Sequence, residues 1–421
     1  MTSNGRVDKA PALIGNDSQR TLRAGFIPLV DASVLIAAAE FGFAEREGLT
    51  LDLVKDVSWA NVRDRLAFRQ FDIAHMLSPM PVASMLDLGS NPSPTITPFS
   101  LGRGGNAITL STRLFSRMRE LTGLSETAGA LENANALRAL LQDMRLRGEA
   151  VPTFGVTYPF SSHNYEFRYW LAAGGIDPDR DVKLVVVPPP LTSDALAAGA
   201  IEGFCVGAPW NMIASARGIG RIVAAKQDIW PSAPEKVVGM RPDWAETQPE
   251  AVSRLLVALD AAARWCDDID NHAALSETLS SAKYIGAPVE ILRQVLAGRF
   301  SVDAQGNQRV IERYFTFHDT FANYPRKSQA LWIYSQMIRW GQTRFSRQAA
   351  EAAASTYRTD LYRHALGSSN VPVEPDIRME GDVDGDRFMD GHVFDPTDIE
   401  AYVRAFPVRA GGNNTSEDEE A

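Results

Sequence analysis

The residues of this chain that could do chemistry are hydrogen-bond donors placed where helices begin. His163 follows Ser161 and Ser162, either of which can cap a helix running to Ala173. Free backbone N–H groups and the helix dipole favour an anion at such a start; a capping or core histidine is the alternative. Trp59 stands at the start of another helix, where its indole N–H or its flat face is available. Asn61 lies two residues on and offers a backbone N–H, while Asn106 offers a side-chain amide. Packing is the plainer role for Trp59, and turn formation for Asn106.

Other chemistries lack their signatures. The six histidines never adopt a metal-ligand spacing, and neither GxGxxG nor a P-loop is present. No Ser-His-Asp or Cys-His arrangement is evident. Cys205 and Cys266 sit singly in apolar contexts, as buried thiols do. The acidic run Glu380 to Asp386 (EGDVDGD) lacks the spacing and terminal glutamate of a calcium loop. His75, inside an apolar strand, reads as a satisfied core histidine.

The elements that position these donors alternate between strand and helix, which predicts an α/β protein. Leu22 to Leu29 reads as a strand, and Asp31 can cap a helix over Ser33 to Glu45, closed by Gly48. Leu49, Leu51 and Leu53 alternate with polar neighbours, a period of two. Strands follow at Phe71 to Leu77, Asn106 to Ser111, Thr153 to Thr157, Val182 to Val187, Gly203 to Val206, Arg221 to Ala225 and Lys236 to Met240. A long helix is expected over Pro249 to Cys266, and mostly helix thereafter. Ligands of open α/β sheets bind at the carboxyl ends of strands. The loops 27–33, 57–61, 158–163 and 207–211 are therefore the ones to watch.

With 421 residues, two lobes are the natural division. The net charge of −10 argues against a nucleic-acid surface, but a cleft lined with donors still admits a small anion. Residues 1–20 are a polar leader without the apolar core of an export signal, and no stretch is long and apolar enough for a membrane helix. A cytoplasmic location follows as an expectation. The end, GGNNTSEDEE, reads as a solvated acidic tail.

Several phrases carry a family resemblance in a constant order over roughly residues 20–405. GFIPLVDAS (25–33), SWANVRDRLAF (58–68), DIAHMLSPMP (72–81) and GGNAITLS (104–111) resemble the nitrate and bicarbonate solute-binding proteins of the NrtA/CmpA type. So do SSHNYEFRYWLAAGGIDPDRDV (161–182), FCVGAPWN (204–211), PEKVVGMRPDW (234–244) and SQALWIYSQMIRWGQ (328–342). The resemblance implies the periplasmic-binding-protein type II fold, two α/β lobes with a ligand cleft at the hinge. It places residues 21–112 with about 230–366 in lobe I and 113–229 in lobe II. Residues 367–410 become a C-terminal extension packed on the lobes, and 411–421 the tail.

Within that family, the branch without an export signal is the NasS-type cytoplasmic nitrate/nitrite sensor. It implies signal transduction through a protein partner, a NasT-like ANTAR-domain antiterminator. The sensor sequesters this RNA-binding protein until the anion arrives, which regulates nitrate assimilation. It implies neither direct nucleic-acid binding nor a membrane, and no enzyme activity, cofactor or metal. The alternative within the resemblance is the substrate-binding subunit of a nitrate/nitrite or bicarbonate ABC transporter. A thiamin-precursor enzyme on the same fold would need a histidine-rich or reactive-cysteine cluster.

The resemblance also assigns ligand contacts. Lys236, in PEKVVGM, falls where the family places its anion-pairing lysine, and Trp59, Asn61, Asn106 and His163 would supply neutral donors. Nitrate has only acceptors, so one positive charge with donors around it is the chemistry required. Exported relatives typically carry an acidic residue in VGEPWN. Ala208 replaces it here, which predicts an anion site free of that carboxylate and of a supporting metal.

Overall fold

The computed structural model describes residues 20–91, 93–367, 371–373 and 375–411. Apart from Arg20 and Gly411, the polar leader and the acidic tail lie outside these residues. The strands are β1 (Arg20–Phe26), β2 (Leu49–Lys55), β3 (Ile73–Leu77), β4 (Ile96–Ser100), β5 (Arg103–Gly104), β6 (Asn106–Ser111), β7 (Thr153–Val156), β8 (Lys183–Val186), β9 (Gly203–Gly207), β10 (Gly220–Ala225) and β11 (Lys236–Met240). All but β5 build two five-stranded sheets, ordered β2-β1-β3-β11-β4 and β10-β6-β9-β7-β8. In each sheet, parallel strands are joined by helices, and antiparallel strands enter where the chain crosses between the lobes. This is the two-lobed α/β fold anticipated above.

The chain passes from the first lobe to the second at residues 101–105 and returns through 226–235. Strand β6 belongs to the second sheet, bonded to β9 and β10, although the sequence reading kept residues up to 112 in the first lobe. Both β4 and β6 are buried along their whole length, so periodicity alone does not reveal which sheet β6 joins. The first crossing needs glycine at position 104. Its φ is +89°, and a side chain there would collide with the Tyr314 carbonyl, because β5 is laid against residues 315–316.

Local signals explain most elements. Ser58, Ser111 and Ser161 each accept a hydrogen bond from the backbone N–H three residues on, starting the helices Trp59–Ala67, Thr112–Thr122 and Ser162–Ala173. The helix expected over 33–45 is instead two, Ser33–Glu40 and Phe43–Arg46, because Gly42 takes a left-handed conformation between them. Both cysteines are buried and free. No helix among the described residues is long and apolar enough to cross a membrane.

Later segments bind the lobes together. Residues 299–310 form a small hairpin against the second lobe, where the Ile222 N–H donates to the Val302 carbonyl at 2.9 Å and Arg221 pairs with Asp303. The helix Lys327–Arg339 and the stretch after residue 380 pack on Ser162–Ala173 of the second lobe. Phe388 lies 4.5 Å from Trp230, 5.8 Å from Tyr169 and 6.0 Å from Trp332, centroid to centroid. The Arg339 guanidinium sits 3.6 Å over Phe406. One apolar core thus runs from the first sheet through the second lobe to the C-terminal stretch. Phe388→Ala is expected to destabilise the protein by about 3–5 kcal/mol, the usual loss for a buried aromatic, read as a lower midpoint in urea unfolding.

Candidate functional site

The carboxyl ends of the strands meet at the seam between the lobes, and the two crossings run through it. Lys236 opens β11 and Lys226 follows β10 at the start of the return crossing. Antiparallel pairing sets Val238 directly opposite His75 on β3. Lys236 lies two residues from Val238, so Lys236 and His75 project from the same face. Asn106 opens β6, opposite Gly207 at the end of β9. His163 and Glu166 are three apart on the helix Ser162–Ala173 and share a face.

Charges fill this seam. The Lys236 Nζ lies 2.8 Å from Asp31 Oδ2 and also pairs with Glu235 Oε1. Lys226 Nζ donates to Glu166 Oε1 at 2.7 Å, to Glu235 Oε2 at 2.6 Å and to the Pro234 carbonyl at 3.1 Å. Its three N–H groups are thereby used. Glu235 bridges the two lysines. Asp31 Oδ1 lies 2.9 Å from His75 Nε2, whose Nδ1 accepts from the Ile27 N–H at 3.4 Å. The Asn106 amide donates to Glu166 at 2.9 Å and also to Glu235. All these side chains are buried, Lys226, Glu235 and Lys236 at 1% exposure.

Burial sets the protonation states. It pushes the Glu166 carboxyl up to about 7 against the pull of Lys226. Burial acts the same way on Glu235, but Lys226 and Lys236 outweigh it and hold that carboxyl well below the usual range. Asp31 is likewise lowered, since Lys236 and His75 overcome its desolvation. Both lysines are desolvated, yet their carboxylate neighbours hold them charged, above their usual values. His163 is lowered to about 3, by burial first and Lys236 second, and burial also lowers His75, so both are neutral at pH 7.

The structure brings four of the five anticipated residues together. Trp59 lies edge-on to His75 with ring centroids 5.2 Å apart, and Lys236 Nζ sits 5.6 Å from the Trp59 ring. The Trp59 indole N–H is buried without a partner. His163 Nδ1 is 3.0 Å from the Thr157 hydroxyl, and its unpartnered Nε2 lies 3.7 Å from Glu235 Oε1. Asn106 is within the network, but both of its amide hydrogens are taken by carboxylates. Asn61 stands apart. It is exposed, its backbone N–H is bound by the Ser58 cap at 3.2 Å, and its amide donates to Asp56.

One expectation is corrected. Lys236 is not a lone positive charge, since Lys226 is a second one and each already has carboxylate partners. Ala208 brings no acid to the seam, but Asp31, Glu166 and Glu235 converge there from three other segments. Asp31 had the look of a helix cap, and its carboxylate instead faces Lys236. Glu235 precedes Lys236, and neighbours on a strand normally point to opposite faces; it reaches the same cluster because β11 begins only at Lys236. Glu166 did carry a signal, an acid on the same helical face as His163, between the aromatic residues Tyr165 and Phe167. His75 is buried, as read, but it also orients Asp31. Gly207 permits the close approach, since a Cβ there would lie 3.1 Å from Asp31 Oδ2.

Contacts across the seam join the lobes around this cluster. The Val30 N–H donates to the Ala208 carbonyl at 3.0 Å and the Trp210 indole to the Pro28 carbonyl at 3.3 Å. At the rim, Arg63 donates to the Tyr158 hydroxyl at 2.7 Å. Among the described residues, no group of three His, Cys, Asp or Glu side chains is arranged to hold a metal.

Comparison with known proteins agrees with this fold. A sequence profile described as the NMT1-like family matches residues 15–280. The nitrate import ATP-binding protein NrtC of Synechocystis sp. PCC 6803 is 35% identical over 95% of this chain and 57% of that protein. The nitrate/nitrite binding protein NrtA of Nostoc sp. PCC 7120 is 31% identical over 92% of this chain and 86% of that protein. The crystal structure of the periplasmic nitrate-binding protein NrtA from Synechocystis PCC 6803 matches with a TM-score of 0.82 at 29% identity, covering 92% of this chain and 98% of that one. The chain therefore spans little more than half the length of its ATP-binding relatives and most of NrtA.

Removing one partner of a buried ion pair leaves the others uncompensated. Lys226→Met is accordingly expected to destabilise the fold by about 3–5 kcal/mol in denaturant titration. Lys283→Met, which breaks an exposed pair with Glu40, should cost less than about 1 kcal/mol.

Proposed function

The chain belongs to the NMT1-like family and, within it, to the NrtA-type solute-binding proteins; from that premise we propose that it binds nitrate or nitrite between its lobes. The observation that carries this reading is Lys236, buried at the seam under the Trp59 ring. The unpartnered Trp59 indole N–H and His163 Nε2 lie around it. In this reading the Thr157 hydroxyl, 3.0 Å from His163 Nδ1, donates to it and leaves the ring proton on Nε2. These groups suit a flat ligand that has acceptors and no proton of its own. To reach Lys236, the anion exchanges with one of its carboxylate contacts as the lobes close. The binding needs no cofactor, and we propose no reaction, in keeping with relatives described as binding and transport proteins.

Anion binding of this kind serves a cytoplasmic sensor in our reading. The open form sequesters a NasT-like ANTAR-domain antiterminator, and closure on nitrate or nitrite releases it. Supporting this is Ala208, a buried apolar residue where the phrase of exported relatives carries an acid. A ligand can shift a partner only by its differential affinity for the two states, and the effect is reciprocal. A second reading, the binding subunit of a nitrate/nitrite or bicarbonate transporter, is favoured by relatives that are themselves import components.

Lys236→Glu is expected to weaken nitrate and nitrite binding by at least about a hundredfold, since it loses a charge-assisted contact and adds repulsion. Calorimetry on the folded variant, checked by circular dichroism, measures this. Normal binding would sink the assignment of Lys236. Co-purification from cells grown with and without nitrate separates the two roles. An RNA-binding partner retained only without nitrate supports the sensor, and recovery of the protein in the periplasmic fraction supports the transporter.

A further inference from the structure

The buried charges of the seam do not balance. Three carboxylates, Asp31, Glu166 and Glu235, face two ammonium groups, Lys226 and Lys236, and none of the five exceeds 7% exposure. His75 and His163, the adjoining titratable groups, are neutral. With every carboxyl ionised, the cluster holds one uncompensated negative charge. A proton-free monoanion would make two, in a site without bulk water to screen them. Lys236 has no unused charge to offer, because Asp31 and Glu235 already share it.

We infer that the anion is taken up together with a proton, and that Glu166 receives it. The inference rests on the anion-binding reading above and adds a second ligand to it. The proton comes from solvent, adds to the Glu166 carboxylate and leaves a carboxylic acid, so anion and proton enter as a neutral pair. Glu166 is the least compensated of the three acids. Glu235 touches both lysines, and Asp31 touches Lys236 and His75, whereas Glu166 contacts Lys226 alone among the cations. It is faced by Lys226 and Glu235 from the return crossing, by Asn106 from β6, by Cys205 from β9 and by Tyr314 beyond β5. His163 lies one turn before it on its own helix. Cys205 and Tyr314 are held protonated by burial, so neither competes for the negative charge. Burial already brings the free Glu166 carboxyl to about 7.

The sign of the pH effect follows. Below about pH 7 the proton is already in place, and affinity is level. Above it, the proton must be acquired with the anion, so affinity falls by up to about tenfold per pH unit. The test is calorimetric titration of the full chain with sodium nitrate and sodium nitrite, in phosphate and in Tris, at about pH 6 and about pH 8. These buffers differ in ionisation heat, so the difference in observed heat counts protons. Uptake approaching one proton per anion at the higher pH, and much less at the lower, is expected. Glu166→Gln should take up none, bind with little pH dependence, and bind more tightly than the parent at high pH. A purely structural Glu166 would instead weaken binding at every pH. Equal buffer-corrected heats in the parent protein would overturn the inference and leave the anion reading standing. Uptake that persists in Glu166→Gln would overturn the assignment to Glu166. No heat with either anion would overturn both readings.

Discussion

Two ammonium groups taken out of water cannot be left without counter-charges, and Glu235 is the residue that answers both. Its two oxygens reach Lys226 and Lys236, while Glu166 and Asp31 complete the partnership on either side. An uncompensated buried charge is strongly unfavourable, whereas the paired set is tolerated if every donor finds an acceptor. That condition dictates geometry. Asp31 must come from the first lobe, Glu166 from the second, and the lysines from the chain that joins them. The lobes meet where these charges meet.

The same requirement explains where irregular backbone collects. The crossings at 101–105 and 226–235 lie next to the cluster, and the first relies on Gly104 to pass the Tyr314 carbonyl. The hairpin at 299–310 and the stretch around Phe388 then cover the outside of the joint. An apolar core spans the lobes, and contacts near Pro28, Ala208 and Tyr158 join their facing edges at the seam. Electrostatic matching at the centre and aromatic packing at the edge act on the same hinge.

Much of the fold was legible from local rules. The serine cap read before His163 starts the helix at 162, alternation marked β2, and β11 fell on the expected residues, Lys236 to Met240. Ends were misjudged where one glycine decided, as at Gly42. Strand β6 was assigned to the wrong lobe because its neighbours in the sheet, β9 and β10, are about a hundred residues away in sequence. Of the site, Trp59, Asn106, His163 and Lys236 were named and do converge. Asn61 was placed near a ligand by its position at a helix start, yet the serine cap had already taken its N–H.

By itself the sequence determined the α/β class, the order of the elements and the family to which the ordered phrases belong, and it singled out Lys236. These are properties of short stretches, where propensity, capping and period act over a few residues. Only the tertiary structure decided that Lys236 is shared by Asp31 and Glu235, that Lys226 stands beside it, and that three acids are buried together at the seam. Coulomb interactions act through space, and the partners come from positions 31, 166, 226 and 235, whose contacts no local pattern encodes. Whether a buried lysine is a free charge or half of a balanced pair depends on what folding brings within 3 Å of it, and here folding brought two carboxylates.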